Sequence, residues 1–487
     1  MLCRVSTYDF ILINAASDIV GCNVRGMAAY LNKHGINTKL LFLAKEYWET
    51  FEDGELSSIV DFARGARLIG ISLFSNYLSI SRCLTEHLQK ELETPILWGG
   101  VHPTLRPKKC ADIADAVCVG EGENALLELF AANKAADKFS IHYPIAGLCW
   151  KKDGNFIDHG FSALLENLDD IPVQDLFSDK AFVLINGQVA PITREHVTSS
   201  GYFANGRVPL SASRGCPFSC TFCNNNFMNK NSNTTKVRRK SVDHVIGEIA
   251  SYIREWPEIK LVRFNDDAFI SLPKTWMEQF CESYKRDIGL PLDVSGVAPI
   301  QLSEDKLAML VDAGLKTMRM GIQTGSEKER LAYKRKETNK ILIEKFAFLS
   351  RYDIEVRLDF ILDNPFESDE GRIESLRFIN EIPIKKVRLN FFSLTFYPGT
   401  ELYDRAVLEG IITDEEKYLS TTDTKQLANT YLNALNYYLG IRCRPAVWLN
   451  ILLSSFVRNN PLAVLLRRYF IWRYHCHETR FFSFRSK

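Results

Sequence analysis

Three thiols stand close together in the segment Ser213-Arg-Gly-Cys216-Pro-Phe-Ser-Cys220-Thr-Phe-Cys223-Asn-Asn, with the spacing C-x3-C-x2-C. Clustered cysteines in a reducing compartment point to a metal centre more than to disulfides. Three thiolates can hold three irons of a [4Fe–4S] cluster and leave the fourth iron open. An open iron can chelate an amino and a carboxylate group. That is the arrangement needed to pass one electron into a bound sulfonium and break its C–S bond. Structural zinc is a competing chemistry, but it takes four ligands in paired halves, and the sequence offers no second pair. Inert buried thiols are the third reading. They are the expectation for the nine scattered cysteines: Cys3, Cys22, Cys83, Cys110, Cys118, Cys149, Cys281, Cys443 and Cys476.

A second set of candidates lies in four short loops that each follow an apolar run. They are Asn14-Ala-Ala-Ser17, Ser72-Leu-Phe-Ser75, Gly99-Gly-Val-His-Pro-Thr104 and Gly120-Glu-Gly-Glu123. Glycines there let the backbone approach a large planar ligand, and Ser, Thr and Glu supply polar partners. Tight structural turns would use the same residues. His102 is expected to play a structural or supporting part.

The elements that must carry these loops are legible as alternating strands and helices. Apolar runs at 9–14, 38–43, 68–74, 95–98 and 116–119 read as strands, with helical patterns between them at 76–92 and after 122. Continuous apolar strands separated by helices mean a parallel sheet covered on both faces. In such a doubly wound, flavodoxin-like sheet, ligands sit at the carboxyl ends of the strands, where the four loops fall. Residues 136–205 are less regular and read as a linker. Strand candidates resume at 208–212, 260–264, 292–294, 317–320, 355–360 and 386–391. Six strand–helix units suggest a partial or full parallel barrel, with its site at the carboxyl ends of the strands. The chain after 405 reads as helices. The expected domains are therefore 1–135, 136–205 as linker, 206–405 and 406–487, in an α/β protein with a helical C-terminal region.

With these residues in place, residues 208–405 resemble the radical SAM superfamily. The cysteine spacing, with aromatic Phe222 before Cys223, is joined by four further segments. These are Phe264-Asn-Asp-Asp-Ala-Phe269, Gly321-Ile-Gln-Thr-Gly-Ser326, Phe360-Ile-Leu-Asp-Asn-Pro-Phe-Glu367 and Tyr397-Pro-Gly-Thr400. The resemblance implies that Cys216, Cys220 and Cys223 ligate a [4Fe–4S] cluster. It implies SAM contacts from Phe222, Asp266 or Asp267, Gln323, Thr324 and Arg335. Each Asp could instead serve at a helix start, and Arg335 could be a solvated charge. Gln323 stands where the family usually has Glu, and Asp363 and Phe366 where it has glycines. The N-terminal domain resembles the cobalamin-binding domain of a large subclass. This implies cobalamin contacts from Ser72, Gly99, Gly100 and Val101, and from Thr104, Gly120 and Glu121. The Asp-x-His-x-x-Gly motif that places His on cobalt elsewhere is absent, so no protein His is expected below the metal.

The family chemistry implied is reductive cleavage of SAM to a 5′-deoxyadenosyl radical, hydrogen abstraction from the substrate, and methyl transfer through cobalamin to an unactivated carbon. A cyclase, oxidase or rearrangement enzyme without methyl transfer is the alternative, and a non-catalytic cobalamin or redox sensor is a third. No catalytic side chain is singled out. The substrate is left as a small molecule, lipid or peptide, and the reductant as a flavodoxin or ferredoxin.

Composition fits this picture. The chain has 487 residues, 46% hydrophobic and 24% charged, with a net charge of +1, and neither a signal peptide nor a membrane span is expected. A cytoplasmic enzyme is expected. Residues 441–487 differ, with nine basic residues against the single acid Glu478, interleaved with large apolar side chains. A helical cap on the barrel, contact with the inner membrane surface and nucleic-acid binding are the three readings. The last lacks a recognisable module, and no nucleic acid is expected.

Overall fold

The computed structural model describes residues 8–19, 21–136, 138–201, 203, 205–422, 426–440, 446–458 and 460–483. The chain builds two compact units. One is drawn from Met1–Asp266, Glu282–Leu290 and Phe396–Thr422, the other from Asp267–Cys281, Pro291–Thr395 and Asp423–Lys487.

The first unit is organised by strands β1 (Tyr8–Asn14), β2 (Thr38–Phe42), β3 (Ala66–Ser72), β4 (Ile96–Gly99) and β5 (Ala116–Cys118). All pair in parallel, in the order β5-β4-β3-β1-β2, the doubly wound arrangement whose switch point falls between β1 and β3. Ile11, Ile13, Ile69 and Ile71 are buried in one core with Leu84 and Leu88 of the helix Leu78–Glu91. Trp98 joins that core fully buried, its indole N–H donating to Thr85 Oγ1 at 2.8 Å.

Residues 136–205, expected as a linker, extend this sheet on both sides. Strands β6 (Leu148–Lys152) and β7 (Asn155–Asp158) form a hairpin on β5, and β8 (Ala181–Ile185) and β9 (Gln188–Pro191) form another on β2. Each hairpin turns on two residues with positive φ: Asp153 and Gly154 at 52° and 81°, Asn186 and Gly187 at 50° and 78°. Asp-Gly and Asn-Gly are the pairs that tolerate this mirror-image turn, whose twist matches the strands.

The same unit holds β10 (Arg207–Leu210) parallel to β13 (Leu261–Phe264), and a short antiparallel ladder of β11 (Ser213–Arg214) on β12 (Arg238–Arg239).

The second unit carries β14 (Leu292–Val297), β15 (Leu315–Gln323), β16 (Glu355–Leu362) and β17 (Val387–Ser393), all parallel and in that order. On β16 Val356, Leu358, Phe360 and Leu362 are buried. Glu355, Arg357, Asp359 and Ile361 alternate with them and are only half-buried. The helices Glu304–Asp312, Asn339–Leu349 and Asp369–Glu381 each begin on a Ser or Thr whose side chain accepts from a backbone N–H of the first turn. All six strands read from the second half of the sequence thus form.

The C-terminal region is helical, with Tyr431–Gly440, Ala446–Leu453, Ser455–Arg458 and Leu462–Ser483. Leu432, Leu435, Leu449, Leu453 and Phe470 close a core with Leu376 of the helix Asp369–Glu381, as a cap on this unit would. Of the residues behind the tail readings, Arg442, Arg444, Arg485 and Lys487 lie outside the described residues, as do the side chains of Trp448, Phe456, Glu478, Arg480, Phe481 and Phe482. Cys3, Cys443 and the Cys476 side chain lie outside them too. No described helix is long and apolar enough to cross a membrane.

Candidate functional site

The cysteine loop leaves β11 at Gly215, whose φ is 99° and whose added Cβ would stand 2.9 Å from the Lys236 carbonyl oxygen. Only glycine passes there without displacing the β12 side of the ladder. Cys216 and Cys220 are buried and Cys223 half-buried; Phe222 beside it is half-buried. Cys223 is the N-cap of the helix Asn224–Asn231. Asn229 on that helix donates back to the Cys216 carbonyl at 2.7 Å, closing the loop on itself. The loop is backed by residues from much later in the chain. Leu402 N–H donates to the Thr221 carbonyl at 3.2 Å, and Glu401 accepts from Lys230 at 3.0 Å and Asn226 at 3.3 Å. Among the described residues no three His, Cys, Asp or Glu side chains gather as the ligands of one metal ion do. A cubane asks less, since each thiolate meets its own iron.

Asp266 is buried at the base of this loop. Its carboxylate accepts from the Ala212 N–H at 3.1 Å and from the Ser213 hydroxyl, so it holds the strand that feeds the cysteines. It sits at no helix start. Asp267 is exposed.

Two arginines flank the cysteines in sequence, and both are held by the Gly120-Glu-Gly-Glu123 loop. Arg238 meets Glu121 at two points, 2.8 and 2.5 Å, and Arg214 reaches Glu123 at 2.8 Å and Glu121 at 3.5 Å. Glu121 also accepts from Leu165 N–H at 3.1 Å. Burial alone would raise its pKa. The hydrogen bonds from Arg238 and the charges of both arginines outweigh that and hold the carboxyl below its ordinary range. The sequence reading gave Glu121 to cobalamin; the structure gives its carboxylate these protein partners.

The other cobalamin candidates converge on the carboxyl ends of β3, β4 and β5. Ser72 and Gly99 end their strands, and Gly100 follows at φ 93°, where a Cβ would lie 3.0 Å from both Leu73 backbone atoms and Ser72 Oγ. Val101 opens the helix Val101–Leu105. Thr104 Oγ1 donates to the Gly100 carbonyl at 2.8 Å and accepts from the Gly120 N–H at 3.0 Å, tying two of the loops together. His102 is buried, with Nδ1 3.1 Å from Ser75 Oγ. Burial pushes its pKa down to about 4, so the ring is neutral near pH 7.

In the second unit, Gln323 ends β15 in the left-handed region at φ 74°. Thr324 is buried, its hydroxyl 2.8 Å from Ser375 Oγ and 3.3 Å from Glu367. Arg335 folds back to the same strand end, donating to the Gly321 carbonyl at 3.4 Å, and it is largely buried rather than solvated. Asp363, at a family glycine position, keeps the positive φ of 57° that glycine would allow. Its two oxygens accept from Asn433 Nδ2 at 2.6 Å and Ala428 N–H at 2.9 Å. Phe366 is half-buried, and its N–H is held by Asn364 at 3.0 Å.

The sequence reading missed the polar face of this sheet. Asp359 accepts from Arg319 at 2.7 Å and Asn390 at 2.8 Å, and the Arg319 guanidinium lies 5.6 Å from the centre of the Phe392 ring. The alternation of charged and apolar residues along 355–362 was its available signal. Glu123, Arg214 and Arg238 gave no comparable signal, since nothing local pairs them.

Residues 8–130 match the B12 binding domain and residues 210–379 the Radical SAM superfamily. An uncharacterized methyltransferase of Pyrococcus horikoshii is 25% identical over 392 residues, 77% of this chain and 78% of that one. The bacteriochlorophyllide d C-8(2)-methyltransferase of Chlorobaculum tepidum is 23% identical over 359 residues, 69% and 67% of the two chains. Among solved structures, the radical S-adenosylmethionine methyltransferase TsrM of Kitasatospora setae, with tryptophan and a SAM analogue bound, has a TM-score of 0.65. It is 14% identical, and the match covers 84% of this chain and 82% of that one. The cobalamin-dependent S-adenosylmethionine radical enzyme OxsB has a TM-score of 0.59 at 16% identity, over 87% of this chain and 57% of that one. At these identities the two structures speak to the fold alone.

Proposed function

Because the chain joins a B12 binding domain to a radical SAM domain and so belongs to the cobalamin-binding radical SAM enzymes, we propose that it methylates an unactivated carbon of its substrate. The observation that carries this reading is the presence of both domains in one chain whose two curated relatives are named methyltransferases. When bound, the cluster, SAM and cobalamin supply one-electron C–S cleavage and delivery of a methyl group to a carbon radical.

The residues present fit these groups. Three thiols share one loop, and Gly99 and Gly100 leave the backbone bare at the carboxyl edge of the sheet. In this reading Cys216, Cys220 and Cys223 hold the cluster, while Asn229 and Gly215 keep the loop in shape. Phe222, Asp267, Gln323, Thr324 and Arg335 bind SAM, and Asp266 positions the strand that feeds the cysteines. Ser72, Gly99, Gly100, Val101, Thr104 and Gly120 face cobalamin, and Glu121 anchors their loop. The substrate is a small molecule, lipid or peptide, and the electron comes from a flavodoxin or ferredoxin in the cytoplasm. The alternative is radical chemistry without methyl transfer, as in a cyclase, oxidase or rearrangement enzyme.

Turnover with SAM deuterated in its methyl group separates the two. A methylase consumes two SAM per turnover, gives matching S-adenosylhomocysteine and 5′-deoxyadenosine, and puts deuterium into the product. Formation of 5′-deoxyadenosine alone, with unlabelled product, overturns methylation and favours the alternative.

A further inference from the structure

The helix Leu462–Ser483 has two apolar faces. Its inner face carries Leu466, Phe470 and Ile471, packed with the helix Tyr431–Gly440, and the Phe470 and Tyr438 rings lie 4.6 Å apart. Arg467 is tied inward, to the Asn429 carbonyl at 3.1 Å. The opposite face carries Leu465, Tyr469 and Trp472, spaced by four and three residues so that they stack along the helix. They are 63%, 49% and 59% exposed. The core cluster of this region takes Leu466, Phe470 and Ile471 from the helix and none of the outer stripe. Arg468 and Arg473 are exposed on its flanks. Residues 446–473 contain four arginines and no Asp or Glu.

We propose that this outer face docks on an anionic lipid surface, with the helix lying in the plane of the interface. Three features select that occupant. Tyr and Trp settle at the boundary of headgroup and acyl chain, where one end of the ring is wet and the other apolar. The arginines flanking the stripe match phosphate headgroups, and the absence of acids over 446–473 removes the repulsion that an anionic leaflet would impose. Leu462, 46% exposed, continues the row, yet a stable protein interface needs about 800 Å² from each partner, more than the side chains of a single helical row supply. Docking of this kind leaves the helix on the surface rather than across it, consistent with its lack of a spanning apolar run. The inference is independent of the reaction assigned above.

The test is co-sedimentation of the full chain with vesicles of phosphatidylglycerol and phosphatidylcholine, against phosphatidylcholine alone. The wild type sediments with the anionic vesicles, and its binding weakens as salt rises. Leu465→Asp with Trp472→Asp lowers that binding by at least about tenfold, and Arg468→Gln with Arg473→Gln lowers it to a smaller degree. The side chains are exposed, so circular dichroism and iron content after anaerobic reconstitution stay at wild-type values. Failure of the wild type to bind anionic vesicles overturns the proposal, as does binding that the variants leave unchanged. Light scattering that shows a dimer broken by Leu465→Asp, without vesicle binding, assigns the face to a second copy instead. Retention on single-stranded RNA in place of vesicles likewise overturns it.

Discussion

Glu121 and Arg238 stand 117 residues apart in the chain and meet as a two-point ion pair, with the Arg238 guanidinium also donating to the Leu165 carbonyl at 2.6 Å. The pair joins the loop after β5 to the strand beside the cysteine loop. Arg214 and Glu123 repeat the connection one residue before Gly215.

Glu121→Gln strands a buried guanidinium, and such a loss costs about 3–5 kcal/mol. We expect a clear fall in Tm together with reduced iron uptake on reconstitution. Glu121→Gln combined with Arg238→Met recovers part of the Tm, because neither charge is then left alone. The pH dependence has a definite sign. A carboxyl held below its ordinary 4.5 stabilises the fold above that pH, and the contribution fades as pH falls through the depressed folded value. Thermal melts of wild type and Glu121→Gln therefore converge in acid. A constant gap across the acid range would reject this role.

Cys216→Ala, Cys220→Ala and Cys223→Ala in one chain should abolish the about four irons and four sulfides expected per cluster, and all SAM cleavage with them. The scattered cysteines provide the control. Cys110 and Cys149 are buried with pKa values pushed well up, so they stay as thiols and Cys110→Ala leaves iron content unchanged. Full iron in the triple variant would refute the assignment of ligands.

Glu367 gives the opposite pH signature to Glu121. Burial first, and then the neighbouring Glu329 charge, raise its pKa from 4.5 to about 7. The folded state holds this proton over a range where the unfolded chain has released it, so stability declines as pH rises from 4.5 towards 7 and then levels off. Glu367→Gln, which keeps the contact with Thr324 Oγ1, should flatten that decline. Differential scanning calorimetry across pH 4 to 8, a range of about four units around the shifted pKa, measures it.

His102 should be dispensable as a cobalt ligand. Its ring is buried, with Nδ1 held 3.1 Å from Ser75 Oγ. Cobalamin bound to the protein is expected to show a spectrum without a His nitrogen below the metal. His102→Gln should leave that spectrum unchanged while lowering folding stability by roughly 1–3 kcal/mol through lost hydrogen bonding, read as a fall in Tm. A spectral shift in the variant would place the imidazole on cobalt.

What could be read from the sequence followed the range of the forces involved. The five parallel strands were legible because burial on both faces writes continuous apolar runs such as Ile11-Leu-Ile13. The cysteine loop was legible because its ligands must lie close in sequence. Hairpins β6–β7 and β8–β9 carried a readable signal, Asp153-Gly154 and Asn186-Gly187, but Gly and Asn mark irregular linkers as well as turns, and the strands beside them are only four or five residues long. Asp363 looked like a departure from a glycine position, yet it keeps the glycine conformation through two hydrogen bonds from 428 and 433. Contacts between distant residues, such as Glu121 with Arg238 or Glu123 with Arg214, leave no local pattern.

The return of residues 396–422 to the first unit sets an order for biogenesis. Arg106 meets Glu415 across 309 positions, and Thr221 in the cysteine loop meets Leu402. A ribosome adding about 5–20 residues per second needs roughly 15–60 s to make the chain between Arg106 and Glu415. For the part of that interval after Cys223 is made, the nascent first unit has its thiols but not the segment that backs their loop. Metal delivery on the ribosome would therefore meet an open loop, whereas the finished protein offers a braced one. Removing residues 396–422 should make iron uptake faster and its retention poorer.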